Sequence, residues 1–422
     1  MGENKGILDE IFENVIKNDC VIKNPDTLTE DFFPPESLEK YRKKQVRQAG
    51  ETLAPLLRGR KCSNLLFYGP NGTGKTAVAK LVSLELAKYS ITICYANYRK
   101  LGTAYKVVID LCDQIGFTDR KVFPLTGITF GELFSRFEKK LDDLNITLVI
   151  IIDEIDRCIR KEERNGNDLL YSLTRMQLSK SKIAMIGIAN DANTTEILDP
   201  AILSSWNMQE IYFPVYDVEQ IKNILRDRAE QAFFKEVVSR GVIELCAGLI
   251  ISEHNGDIRK AINLLRVSAE ETIARSSQFI TEYTVRDAYD TIEFDRTAQA
   301  IRNLGLTKRI LVISVMALEL KGLKHKHTTG QVFTKYCELC KITSTDPLVQ
   351  RRVYDLLAEM QDEGIVNRTL TNKGRYGRTH EVTLAVSREI LEKVLQEGKD
   401  PDCEKIIKYV HKSRERMTFY DE

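Results

Sequence analysis

Gly69-Pro70-Asn71-Gly72-Thr73-Gly74-Lys75-Thr76 lies between the apolar run Leu65-Leu66-Phe67-Tyr68 and the helix-like Ala77-Val78-Ala79-Lys80-Leu81-Val82. Strand, glycine loop and helix start in that order form the context a phosphate-binding P-loop requires. The glycines let backbone N–H groups curl round a β-phosphate. Lys75 is placed to reach the β- and γ-phosphates, and the Thr76 hydroxyl to ligate Mg²⁺ at the positive end of the following helix. A plain turn between strand and helix needs neither the Lys nor the Thr.

A P-loop implies a later buried strand that ends in a carboxylate, and Leu148-Val149-Ile150-Ile151-Ile152-Asp153-Glu154 supplies it. A continuous apolar run fits a strand covered by helices on both faces, with ligands at its C-terminal end. Asp153 is expected to hold Mg²⁺, and Glu154 to orient the water that attacks a γ-phosphate. Asp156 reads as a structural or capping acid. A third strand, Ala184-Met185-Ile186-Gly187-Ile188-Ala189, ends in Asn190, whose neutral amide could bond the attacking water or a phosphate oxygen. An Asn after a strand is ordinarily a turn former, so its role rests on its place after the other two motifs.

The chain has 422 residues, 43% hydrophobic and 29% charged, enough for two or three domains with large cores. A net charge of +1 does not by itself indicate nucleic acid. No 18-residue apolar stretch occurs, and the acidic N-terminus does not resemble a signal peptide, so the expectation is a soluble cytoplasmic protein with no membrane partner. Nine scattered cysteines suit reduced thiols. Cys337 and Cys340, with His325 and His327 upstream, have zinc-like spacing; they also share an apolar stripe with Phe333 and Tyr336, which favours a packed helix face.

Residues 1–30 read as a flexible arm, followed by one charged helix from Ser37 to Leu57. Residues 31–215 alternate strands and helices as an α/β nucleotide core. From 216 to 298 the pattern is all helical, an expected lid. Within it, Gly256-Asp257-Ile258-Arg259 starts a helix whose Arg259 could swing onto a γ-phosphate as the lid closes.

Residues 304–395 read as three helices and a β-ribbon, the order of a winged helix, with 396–422 as a helical tail. Between Leu304 and Leu384 thirteen Lys and Arg face eight Asp and Glu, and the stretch from Val366 to His380 carries basic residues without an acid. Double-stranded DNA is therefore the expected partner of this part. Arg351 and Arg352 on the third helix could enter a major groove. Lys373, Arg375, Tyr376, Arg378 and Thr379 on the Gly-containing wing could reach phosphates or a minor groove.

These motifs in this order resemble the AAA+ ATPases, and more narrowly the archaeal replication initiators. That family is related to the largest subunit of the origin recognition complex and to the cell division control licensing ATPase. Tyr41-Arg42-Lys43-Lys44-Gln45, Leu53-Ala54-Pro55-Leu56-Leu57-Arg58-Gly59 and Ser63-Asn64 look like the initiator leader. Thr103 to Ile115 and Gly127-Ile128-Thr129-Phe130-Gly131-Glu132 look like the initiators' helical insertion, placed at about 101–132. The resemblance implies an α/β P-loop AAA+ core with an all-α lid and a C-terminal winged-helix domain. It implies ATP and ADP with Mg²⁺ as cofactors, and a nucleoid-associated protein that binds origin DNA and helps recruit the replicative helicase ring, beside a paralogous initiator. One departure is plain. Initiators place an Arg after Asp-Pro, whereas Asp199-Pro200-Ala201-Ile202-Leu203 has none and no Arg occurs from 176 to 225. Such a chain is expected to hydrolyse its own ATP slowly and not to activate a neighbour's site. A nucleotide-gated transcription regulator and a signalling ATPase share many of these features and stay open.

Overall fold

The computed structural model describes residues 21–29, 32, 34–159, 166–190, 194, 200–321, 327–372, 378–398 and 400–418. The chain forms two compact units, Met1–Arg286 and Asp287–Glu422.

In the first unit, strands β1 (Asn64–Tyr68), β2 (Thr92–Asn97), β3 (Thr147–Asp153), β4 (Lys182–Ala189) and β5 (Met208–Tyr212) form a sheet in the order β2-β3-β4-β1-β5. Every pair is parallel. Alternation explains why β3 reads as unbroken apolar sequence. Leu148, Ile150 and Ile152 enter the core on one face of the sheet, and Val149 and Ile151 the core on the other. The first face is covered by α5 (Ala104–Gln114) and α6 (Phe130–Asp143), capped by Thr103 and Thr129, through Val107, Leu111, Leu133, Phe137 and Leu141. These helices lie between β2 and β3 in sequence, with the short α4 (Tyr98–Leu101) before them. The second face is covered by α3 (Lys75–Ala87) and by the leader.

The leader is not one helix. It divides into α1 (Pro35–Tyr41) and α2 (Lys43–Leu53), followed by a 3-10 turn at Ala54–Arg58. The break is at Arg42, whose backbone leaves the helical region (φ −123°, ψ 25°) while its side chain turns inward to 3% exposure. After β3 come α7 (Asp156–Ile159) and α8 (Gly166–Thr174), and α9 (Pro200–Trp206) precedes β5. The lid consists of α10 (Val218–Ala232), with an Asp217–Gln220 capping box, α11 (Val242–His254) and α12 (Ile258–Ala274).

Residues 21–29, expected as part of a flexible arm, are packed on α10. Ile22 bridges Phe233, Lys23 and Asn24 donate their N–H groups to Ala232, and Val21 and Leu28 are buried. Two apolar side chains in a polar stretch gave no periodic signal, yet they suffice to anchor it. Residues 1–20 lie outside the described residues.

The second unit contains the greater part of α13 (Glu282–Arg302), then α14 (Leu306–Lys321), β6 (His327–Thr328), α15 (Thr329–Ile342), α16 (Gln350–Asp362), β7 (Val366–Asn372) and β8 (Arg378–Leu384), followed by α17 (Arg388–Glu397) and α18 (Pro401–Thr418). Its antiparallel sheet runs β6-β8-β7; the two-residue β6 is too short to register in sequence. Cys340 is buried in this unit's core and Cys337 packs against it. The segment expected as a separate tail is part of the same core, since Cys403, Ile406, Ile407 and Val410 are buried with Leu311, Tyr336 and Val353. A helix whose apolar stripe is covered is a structural member rather than an appendage. No helix among the described residues is long and apolar enough to cross a membrane.

Ile407→Ala is expected to destabilise this unit by about 2–5 kcal/mol, the cost of a cavity in a packed core. Hydrogen exchange in α14 should accelerate accordingly; unchanged exchange there would show that α18 is dispensable to the core.

Candidate functional site

Residues 69–76 arch from β1 into α3, and three of them can only be glycine. Gly69 has φ 142° and a Cβ there would lie 2.3 Å from the Phe213 carbonyl oxygen; Gly72, at φ 70°, would put one 1.8 Å from the Asp257 carboxylate; Gly74, at φ 86°, would put one 2.7 Å from the Tyr216 hydroxyl. The loop is thereby pressed against the end of the sheet, the turn into the lid and the start of α12. Thr73 is fully buried and its hydroxyl donates to Pro70 O at 2.8 Å.

Lys75 is 4% exposed, and its ammonium donates to Gly69 O at 2.8 Å and Pro70 O at 2.7 Å. Burial lowers its pKa to about 8, against the pull of Asp153 and with the added repulsion of Arg259. Beside it the Thr76 hydroxyl donates to Asp153 Oδ2 at 3.0 Å. The same oxygen accepts the Tyr95 hydroxyl at 2.8 Å, and Oδ1 accepts the Glu154 N–H at 2.8 Å. Burial, then the Asp153 charge, raises the Tyr95 pKa, so Tyr95 stays a donor. Glu154 adopts φ 55°, rare for a residue with a side chain. Its carboxylate accepts from Asn97 Nδ2 at 3.4 Å and lies 3.7 Å from the Arg99 guanidinium. Asn190 donates its backbone N–H to Asp156 Oδ1 at 3.4 Å, and Asp156 also borders the cavity described below. On the lid, Arg259 forms a two-point pair with Asp257 at 3.2 and 3.0 Å.

All the expected phosphate-end residues from Asn71 to Thr76, with Asp153, Glu154, Asn190 and Arg259, border one cavity of about 730 Å³; Gly69 and Pro70 lie behind them. Its lining also includes the apolar Phe32, Pro34 and Leu38 of the leader and Ile224, Ile258 and Ile262 of the lid, with Tyr41 and Arg228. Apolar side chains beside a cationic glycine loop suit a nucleotide. Among the described residues no three His, Cys, Asp or Glu side chains converge. The Thr76–Asp153 pair instead offers the few hard oxygens that Mg²⁺ takes when phosphates and water complete its shell, so these residues fit that ion.

Three participants had no motif to reveal them, Tyr95, Asn97 and Arg99, and Arg42, quoted above only as part of the leader, donates its Nε to Thr73 O of the loop at 2.9 Å. Tyr95 and Asn97 lie on β2, and their approach to Asp153 and Glu154 follows from the β2–β3 pairing, in which Asn97 is level with Asp153.

In the second unit Arg351 and Arg352 are exposed on α16. Arg352 is paired with Glu359 at 3.2 Å. Arg351 borders a groove with Gln350, Tyr354, Thr379 and His380. Tyr354 ties the helix to the wing: Arg368 lies 4.2 Å over its ring, and its hydroxyl is 3.3 Å from His380 Nδ1. Lys373, Arg375 and Tyr376 lie outside the described residues, and Arg378 is described only by its backbone, in register with Asn372.

Three family models match the chain: the AAA family of ATPases associated with various cellular activities at residues 65–215, the Cdc6 AAA+ ATPase-type lid domain at 222–290, and the CDC6 C-terminal winged helix domain at 299–394. The chain is 38% identical over 399 residues to the ORC1-type DNA replication protein 1 of Methanosarcina acetivorans, covering 92% of this chain and 94% of that protein. It is 36% identical over 403 residues to the ORC1-type DNA replication protein of Pyrococcus furiosus, covering 94% of each. Among solved structures, the Aeropyrum pernix ORC1 protein in complex with DNA has a TM-score of 0.77 at 34% identity, covering 89% of this chain and 97% of that one.

Gly72→Ala is expected to lower the melting temperature by about 2–4 °C, the order of 1–2 kcal/mol in a unit this large. Gly50→Ala, in α2 with nothing within 4 Å of the added methyl, should leave stability unchanged or raise it by about 0.5–1 kcal/mol. Equal melting of the two variants would refute the contact between loop and lid.

Proposed function

Since the chain belongs to the family of ORC1-type DNA replication proteins, we propose that it is an initiator that binds duplex DNA at replication origins under the control of ATP. The observation that carries this reading is the single cavity in which the P-loop, the β3 carboxylates and the lid residue Arg259 meet. A nucleotide bridging core and lid makes their relative pose depend on the phosphates present.

In this proposal the N–H groups of residues 71–76 and the Lys75 ammonium grip the β- and γ-phosphates, the ammonium exchanging the Gly69 and Pro70 carbonyls for phosphate oxygens. The Thr76 hydroxyl and Asp153 would hold Mg²⁺, which supplies neutralisation of phosphate charge. Glu154, turned from Asn97 and Arg99 toward the γ-phosphate, orients the attacking water and accepts its proton. Asn190 bonds that water or a phosphate oxygen. Arg259 leaves Asp257 for the γ-phosphate, a gain for the triphosphate that a diphosphate does not offer.

Hydrolysis is slow in this reading. The α9 helix begins Pro200-Ala201-Ile202-Leu203, and without an Arg from 176 to 225 this segment cannot lend a cation to a neighbour's reaction. Where the neighbour is a second copy of this chain, each site then lacks a cation worth about 10³-fold or more in rate. ATP therefore acts as a long-lived switch.

On DNA, Arg351 and Arg352 of α16 face the major groove, with Arg352 exchanging Glu359 for a phosphate or base. Thr379, with Lys373, Arg375, Tyr376 and Arg378 of the wing, holds the backbone or the minor groove. Nucleoid association, recruitment of the replicative helicase ring and work beside a paralogous initiator complete the proposal, supported by the resemblance to the initiators.

The test is genome-wide mapping of bound sites for the wild type and Lys75→Ala. A few origin-proximal sites, weakened in the variant, are expected. Occupancy spread over many promoters, or no site-specific occupancy, would overturn the initiator reading.

A further inference from the structure

Arg42 is a cation at 3% exposure, and it interrupts the leader helix to reach its position. Its Nε donates to Thr73 O, inside the P-loop, at 2.9 Å, and its Nη2 donates to Pro214 O at 2.7 Å. Pro214 lies between β5 and the lid helix α10. The guanidinium plane lies 3.8 Å from the Tyr216 ring centroid. Tyr216 is itself 5% exposed, and its hydroxyl occupies the space beside Gly74 that any side chain there would need. Phe213, just before Pro214, closes in the same way on Gly69. A buried guanidinium is costly to keep, and a planar fork is the side chain that can hold two carbonyls and an aromatic face at once.

We propose that Arg42 is a positioning residue that transmits the state of the P-loop to the hinge of the lid, by bonding Thr73 O on the loop and Pro214 O on the hinge with one rigid group. The proposal rests on the nucleotide reading of the cavity. Arg42 itself is not among the residues that border the cavity. When the loop tightens round a phosphate, Thr73 O moves, and the fork moves Pro214 and Tyr216 with it. An ammonium bonds two carbonyls only where they converge on one nitrogen, as at Lys75, whereas Thr73 O and Pro214 O are held by separate nitrogens of one planar fork, so Lys, although it keeps the charge, is expected to uncouple them.

The experiment is hydrogen exchange on full-length protein with and without saturating ATP, for the wild type, Arg42→Lys and Tyr216→Leu. In the wild type ATP should slow exchange both at the start of α3 and in residues 256–262 of the lid. In Arg42→Lys, α3 should remain protected while lid protection falls by roughly tenfold or more, the scale of a hydrogen bond to a charged donor. Tyr216→Leu, which removes the ring that orients the fork and leaves Arg42 in place, should shift the lid the same way by less. Full lid protection in both variants would overturn the proposal. If Arg42→Lys fails to fold, Tyr216→Leu alone decides between these outcomes. A wild type that shows no protection at α3 would instead refute the nucleotide reading.

Discussion

The ammonium of Lys75, held by the Gly69 and Pro70 carbonyls at 2.8 and 2.7 Å and almost closed off from water, is the interaction on which the site depends. A cation in that position needs partners on every side, and the loop supplies its own. Those carbonyls are also the ones a phosphate oxygen would displace, so the loop is shaped to accept an anion. The glycines follow from this: the chain can curl so tightly over the lysine only where φ is positive and where Phe213, Tyr216 and Asp257 can approach without meeting a Cβ. Packing and electrostatics thus impose the same sequence.

The same constraint ties the site to the fold. β1 delivers the loop from inside the sheet, between β4 and the edge strand β5, and β3, beyond β4, carries Asp153 to within a hydrogen bond of Thr76. The lid reaches the loop through Asp257, which contacts Gly72 and holds Arg259. Loop, strand ends and lid are therefore joined by direct contacts, the route through which the proposed switch would act. The winged-helix unit is built on different physics, with a helix and a hairpin joined by Arg368 over the Tyr354 ring and by the edge-on contact of Tyr354 with His380.

Much of this was legible because it is local. The P-loop octamer, the apolar β3 run ending in Asp153 and the strand before Asn190 are contiguous segments whose spacing alone implies their geometry. The residues that were hidden depend on pairing or packing. Asn97 reaches Glu154 because β2 lies beside β3, an order that no local pattern encodes. Arg42 looked like one more charge on a charged helix, and only the fold reveals that it points inward. Val21 and Leu28 anchor a segment too short and too polar to show periodicity, and α18 reads as a tail until its buried face is paired with α14. The basic wing shows the reverse case: its charge was evident in sequence, while residues 373–377 lie outside the described structure.

The most direct test of the central claim is calorimetry of ATP binding across pH, repeated in buffers of different ionisation enthalpy. Burial has lowered the Lys75 pKa to about 8, and contact with phosphate must raise it. Below that pH the ammonium is charged before and after binding, so affinity should be insensitive to this group. Above it, binding must take up a proton, and affinity should fall as pH rises, by up to about tenfold per unit between the free and bound pKa values. Proton uptake near pH 9 that disappears in Lys75→Arg is the predicted result. Affinity that stays flat from pH 7 to about 9.5, with no buffer dependence, would contradict the account.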